Sequence, residues 1–126
     1  MMYNLKAPKN YFSYDEIACS HCKESHFDKE FLNLCNWARH IAGVPFVVTS
    51  AYRCEEHNKE VGGTSNSSHL KGLGMDVMPK DNHHRFRIFS ALLTVGVKRI
   101  RLYLKKGHIH FDVDPDKGQE ILMIED

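Results

Sequence analysis

Apolar residues in this chain follow two patterns, one with helical spacing and one with strand alternation. From Asp28 onward, Phe31, Leu34, Cys35, Ala38, Ile41 and Ala42 recur every three or four positions, and Gly43 follows as a left-handed stop. This predicts an amphipathic helix over about residues 28 to 42. Phe86, Ile88, Phe89, Leu92, Leu93 and Val95 predict another, ended by Gly96. A short helix is expected to open at Ser13-Tyr14-Asp15-Glu16, where a hydroxyl and a carboxylate can satisfy the free amides of a first turn. A further one fits Arg53 to Val61.

The strand signals lie between these helices. After Pro45, Phe46-Val47-Val48-Thr49-Ser50-Ala51 is β-branched and too short for a helix, which suits a buried strand. Gly62 to Ser68 is a loop by composition, and Gly74-Met75-Asp76-Val77-Met78 resumes an extended pattern before Pro79. Ile100, Leu102 and Leu104 alternate, Lys105-Lys106-Gly107 makes a tight connection, and His108-Ile109-His110-Phe111-Asp112-Val113 alternates again. These last two segments are expected to form a hairpin, while Ile121 to Ile124 either pair or merely pack. Helices interspersed with such strands predict an α+β fold, a single domain over residues 1–126 with an antiparallel sheet and flanking helices.

Composition narrows what the domain can do. A length of 126 residues suits one domain, and 42% hydrophobic with 26% charged residues is an ordinary globular balance. A net charge of +1 gives no strongly basic face, so nucleic acid is not an expected partner. No stretch approaches the ~20 apolar residues that span a bilayer, so no membrane association is expected, and the chain is taken as a monomer. Met1 to Lys9 has no apolar run of signal-peptide length, so the chain as written is expected to be made and folded in the cytoplasm.

Cys19, Cys22, Cys35 and Cys54 are therefore expected to be reduced. Cys19-Ser20-His21-Cys22 with His26 looks like half of a structural zinc site, but Cys35 and Cys54 do not supply a second pair at tetrahedral-site spacing. Small buried or loop cysteines are the preferred reading, with a local disulfide or an extra metal as the alternatives. His83 and His84 open a helix and read as solvated.

Nine histidines in so short a chain point towards metal chemistry. Two clusters stand out. In Ser67-Ser68-His69-Leu70-Lys71-Gly72-Leu73-Gly74-Met75-Asp76, two glycines let the backbone bend enough to return Asp76 towards His69. In His108-Ile109-His110-Phe111-Asp112, alternation places His108, His110 and Asp112 on one face while Ile109, Phe111 and Val113 enter the core. Asp112 either orients an imidazole through its free N–H or is an exposed strand acid. Ser67 is either a turn serine or a partner of Asp76 or the loop backbone.

Together these residues resemble zinc D-alanyl-D-alanine carboxypeptidases and related peptidoglycan peptidases, whose fold the Hedgehog signalling domain shares. The likeness covers roughly residues 11–114. The family's Ser-x-His-x-x-Gly-x-x-x-Asp is met by Ser67, His69, Gly72 and Asp76, and its His-x-His by His108 and His110. Ser50-Ala51-Tyr52-Arg53 with His57-Asn58 and Gly62-Gly63 looks like the family's strand-end segment.

The resemblance implies one zinc ion per chain, held by His69, Asp76 and His110, with Arg53 facing the site to hold a substrate carboxylate or the oxyanion of a tetrahedral intermediate. Relatives with Glu-x-x-His use that Glu as base, but three residues before His110 this chain has Gly107. His108 is then the candidate base, with a ligand or supporting role left open. The implied activity is hydrolysis of an amide bond in peptidoglycan stem peptides or cross-links, by a carboxypeptidase or endopeptidase, including a phage-type endolysin acting at the bacterial cell wall after release. A non-catalytic zinc module of the same fold is the main rival, and a two-metal phosphoesterase would need more carboxylates than these clusters offer.

Overall fold

Four α-helices and five strands build the protein, whose computed structural model describes residues 2–126. The helices are α1 (Tyr14–Ile17), α2 (Lys29–Ala42), α3 (Glu55–Glu60) and α4 (Asn82–Thr94). The strands are β1 (Val47–Ser50), β2 (Gly74–Met78), β3 (Arg99–Tyr103), β4 (Ile109–Asp112) and β5 (Ile121–Glu125).

Local chemistry sets the helix ends much as the sequence pattern predicts. The capping box at Ser13 opens α1. Asp28 caps α2 by accepting from Phe31 N–H at 2.9 Å, and Gly43 closes it with φ 68°. Helix α4 begins earlier than its apolar pattern suggests, because Asp81 accepts from His84 N–H at 2.8 Å and caps a polar first turn that contains His83 and His84. Helix α3 begins at Glu55 with Cys54 as its extended cap, while the N–H of Arg53 is taken by the His69 carbonyl at 3.1 Å.

The sheet order is β1-β2-β4-β3-β5. The first four strands in that order pair antiparallel, with β3 and β4 forming the expected hairpin. The expected antiparallel sheet is extended at one edge into a mixed one, because Ile121 to Ile124 do pair, as β5 parallel to β3. Its apolar run Ile121-Leu122-Met123-Ile124 has no polar alternation to specify a face or a partner.

One face of this sheet packs on α2 and α4. Phe31, Cys35 and Ala38 from α2 and Ile88, Ala91 and Leu92 from α4 join Met75, Val77, Ile100, Ile109 and Phe111 in a single buried cluster. Phe31 meets Phe111 edge-on at 5.8 Å between ring centroids. Burying side chains of this size contributes roughly 1.5–3 kcal/mol each. Because Ile109 and Phe111 point into this core, their neighbours His110 and Asp112 are delivered to the other face.

Candidate metal centre

Register carries the site across the sheet. Ser50 pairs with Asp76, Asp76 with His110, His110 with Arg101, and Arg101 with Met123. Asp76 and His110 are thus cross-strand neighbours on the face away from the helices. His69 reaches the same point from the Ser67–Gly72 turns that precede β2. Gly72 sits there with φ 71°, and a Cβ on it would collide with the His26 carbonyl oxygen.

One ligand atom each from His69, Asp76 and His110 lies within 4.8 Å of the other two. Asp76 Oδ1 is 2.7 Å from His110 Nδ1 and 3.3 Å from His69 Nε2. The far nitrogen of each ring is occupied. His69 Nδ1 lies 2.6 Å from the Ala51 carbonyl, which can only accept, so this nitrogen carries the proton. His110 Nε2 lies 2.7 Å from Asp112 Oδ2, and an ionised carboxylate likewise only accepts.

In neutral rings these contacts leave two bare nitrogens facing a carboxylate oxygen, an arrangement that demands a positive charge between them. Protons can meet that demand. Burial acts against a charged His110, yet bonds to Asp112 and Asp76 raise its pKa. Burial would raise Asp76, yet bonds with His110 and His69 hold it well below the usual carboxylate range. A metal cation meets the same demand, and two neutral imidazoles with one carboxylate form a donor set of catalytic-zinc type. Ligand atoms at ~2.0–2.1 Å from a tetrahedral ion stand about 3.3 Å apart, the separation of His69 Nε2 from Asp76 Oδ1.

The three residues open into a cleft of about 660 Å³. Arg53, Arg99, Arg101, Lys106 and Lys117 line it, against Asp76 and Asp112. Such a lining attracts anionic groups. Arg53 donates from Nη2 to Ser67 Oγ at 3.1 Å, while its buried Nε has no partner. Burial lowers the Arg53 pKa, partly countered by Asp76.

His108 also lines the cleft, with Nε2 at 3.9 Å from Asp76 Oδ2. Its ring stacks on Tyr103 at 4.0 Å, and burial lowers its pKa, which favours the neutral ring. Asp112 is 1% exposed and bonded to His110, which removes the exposed-acid reading. Ser67 Oγ accepts from His69 N–H at 3.3 Å and from Arg53, so it serves the loop backbone rather than Asp76.

Several groups in the site carry no clear sequence signal. The Ala51 carbonyl is backbone, and any residue supplies one. Arg99, Arg101 and Tyr103 could have been read from the polar positions alternating with Ile100 and Leu102. Cys35 and Cys54 form no second pair, but the tertiary fold brings Cys54 alone to Cys19 and Cys22. Cys35 remains a buried core residue.

Residues 10–112 match the family model described as Peptidase M15. No curated protein matches the sequence. The match spans most of the chain, which therefore belongs to the M15 peptidase family, the zinc-dependent family of D-Ala-D-Ala carboxypeptidase type.

Proposed function

We propose that this M15 peptidase hydrolyses an amide bond in peptidoglycan stem peptides or cross-links, with His69, Asp76 and His110 holding one zinc ion. The observation that carries the reading is the pair of imidazoles whose outer nitrogens are tied to Ala51 and Asp112 while their inner nitrogens meet at Asp76. Zinc bound there supplies Lewis acidity and a nucleophile at neutral pH.

The protein's own groups supply the rest. The basic lining orients a peptide carboxylate, with the Arg53 guanidinium in the cleft wall placing positive charge towards it or towards the oxyanion. Neutral His108, braced by Tyr103, accepts a proton as the bond is attacked and returns it to the leaving amine. Asp112 and the Ala51 carbonyl keep the two rings from turning.

Gly107 occupies the place where Glu-x-x-His relatives carry a carboxylate, and it forms a turn with φ 88°. That observation favours the second reading, a zinc module of the same fold without turnover. Digestion of purified peptidoglycan followed by mass spectrometry of the muropeptides separates the two, and also identifies the bond cut and whether action is endo- or carboxypeptidase. Zinc-dependent release of a D-amino acid or an opened cross-link supports the enzyme. Unchanged muropeptides with fully zinc-loaded protein would establish the module. Lysis of cells from without tests action at the cell wall, as a phage-type endolysin would show.

A further inference from the structure

The stretch from Ser13 to Glu30 is mostly open to solvent. Among these described residues only Cys19 is buried, and α1 is a single turn. The chain nevertheless turns tightly through Cys19-Ser20-His21-Cys22. Cys19 N–H bonds to the Glu24 carbonyl at 2.7 Å and Lys23 N–H to the Cys19 carbonyl at 2.8 Å, with Lys23 at φ 65°. This folds two cysteines of a Cys-x-x-Cys unit towards Cys54, the cap of α3.

The sulfurs of Cys19, Cys22 and Cys54 lie within 4.8 Å of one another. Cys19 and Cys54 Sγ are 3.6 Å apart, and His21 Nδ1 is 3.7 Å from Cys54 Sγ. Thiolates at ~2.3 Å from a tetrahedral zinc stand about 3.7 Å apart, whereas a disulfide closes to ~2.05 Å and would leave the third thiol without a role. Backbone amides already point at the sulfurs: Cys54 N–H at Cys19 Sγ, 3.4 Å, and His57 N–H at Cys54 Sγ, 3.5 Å. Such bonds favour the thiolate that a metal requires.

We propose that Cys19, Cys22 and Cys54, completed by His21 Nδ1, form a second, structural zinc site that fastens the 13–30 stretch to the start of α3. Three thiols lose their protons to solvent on binding, and His21 donates its Nδ1 lone pair. The chain would then hold two zinc ions instead of one. The site also bears on the cleft, because Cys54 directly follows Arg53, and the Ala51 carbonyl that fixes His69 is three residues away. This inference does not rest on the peptidase reading.

Cobalt substitution of the reduced full-length protein tests it, since thiolate ligands give a sulfur-to-cobalt charge-transfer band that His and Asp ligands do not. The band is expected in the wild type, retained when His69→Ala and His110→Ala are combined, and lost in Cys22→Ser. Zinc content should fall from two per chain to one in Cys22→Ser, and to one in the double His variant. His21→Ala should keep the band with a shifted ligand-field envelope, and an unshifted spectrum would remove His21 from the site. Should Cys22→Ser not fold, thiol labelling of the wild type decides: three thiols should be protected by zinc and released by chelation. Wild-type protein with one zinc, no charge-transfer band and equal labelling in both states would overturn the proposal.

Discussion

Asp112 Oδ2 accepts from His110 Nε2 at 2.7 Å, and that contact determines which ring nitrogen His110 turns towards Asp76. Asp112 is itself held, by Asp114 N–H at 3.2 Å and by Arg99 Nε at 3.3 Å, so the imidazole is braced from behind.

Removing that brace should loosen the metal without destroying the ligand set. Asp112→Ala is expected to weaken zinc about 10- to 100-fold, read by competition with a chelating dye. Asp112→Asn, which keeps an acceptor oxygen, should lose less. Equal losses in both variants would indicate that charge, not orientation, is what Asp112 supplies.

His110 and Arg53 should separate by readout. His110→Ala removes a proposed ligand and is expected to lose both zinc and turnover, whereas Arg53→Ala should keep zinc and lose turnover alone. Matching metal loss in the two variants would overturn this division of roles.

His108 has three possible roles with three different signatures. As the base, His108→Ala keeps zinc and loses on the order of 10²–10⁴ in turnover. As a ligand, it loses zinc and recovers activity in excess metal. With neither quantity moving, His108 has no part in the reaction. Its 3.9 Å separation from Asp76 and its stacking on Tyr103 favour the first outcome.

A fourth expectation concerns stability. Asp114 is 0% exposed and takes two of the bonds from Lys71 Nζ, each at 3.0 Å. Lys71→Met strands that buried carboxylate, while Asp114→Asn leaves a lysine that can reach water and still pair with Asp116. Lys71→Met should therefore be the costlier change, on the order of 1.5–3 kcal/mol by urea unfolding. The reverse order would show that Lys117, 4.0 Å away, suffices as the counter-charge.

Much of this molecule can be read from its sequence where a period or a cap is present. Helix α2 shows both, and the hairpin follows from alternation around Lys105-Lys106-Gly107. His69, Asp76 and His110 stand in motifs, and the fold brings them together. What escapes is what depends on distant pairing. Alternation places Asp112 on the face of His110 but cannot say that Arg99 and Asp114 bury it there. Cys54 lies 35 residues from Cys19, and tertiary packing, that of α1 on β1 included, makes them neighbours. Strand β5 shows four apolar residues in a row, a pattern compatible with any edge.

The parallel β5 strand has a consequence for solubility. It lies beyond the family-matched residues and covers the outer edge of β3, the strand that brings Arg99, Arg101 and Tyr103 to the cleft. Without it, β3 would present unpaired amides and carbonyls beside the site, an invitation to edge-to-edge stacking with another chain. With it, the exposed edge moves one strand outward, to a segment whose Ile121, Leu122 and Ile124 are open to water but bracketed by Glu120, Glu125 and Asp126. Those flanking charges act as gatekeepers against self-association, so the hazard of an open sheet is displaced from the reaction face to a border defended by like-charge repulsion.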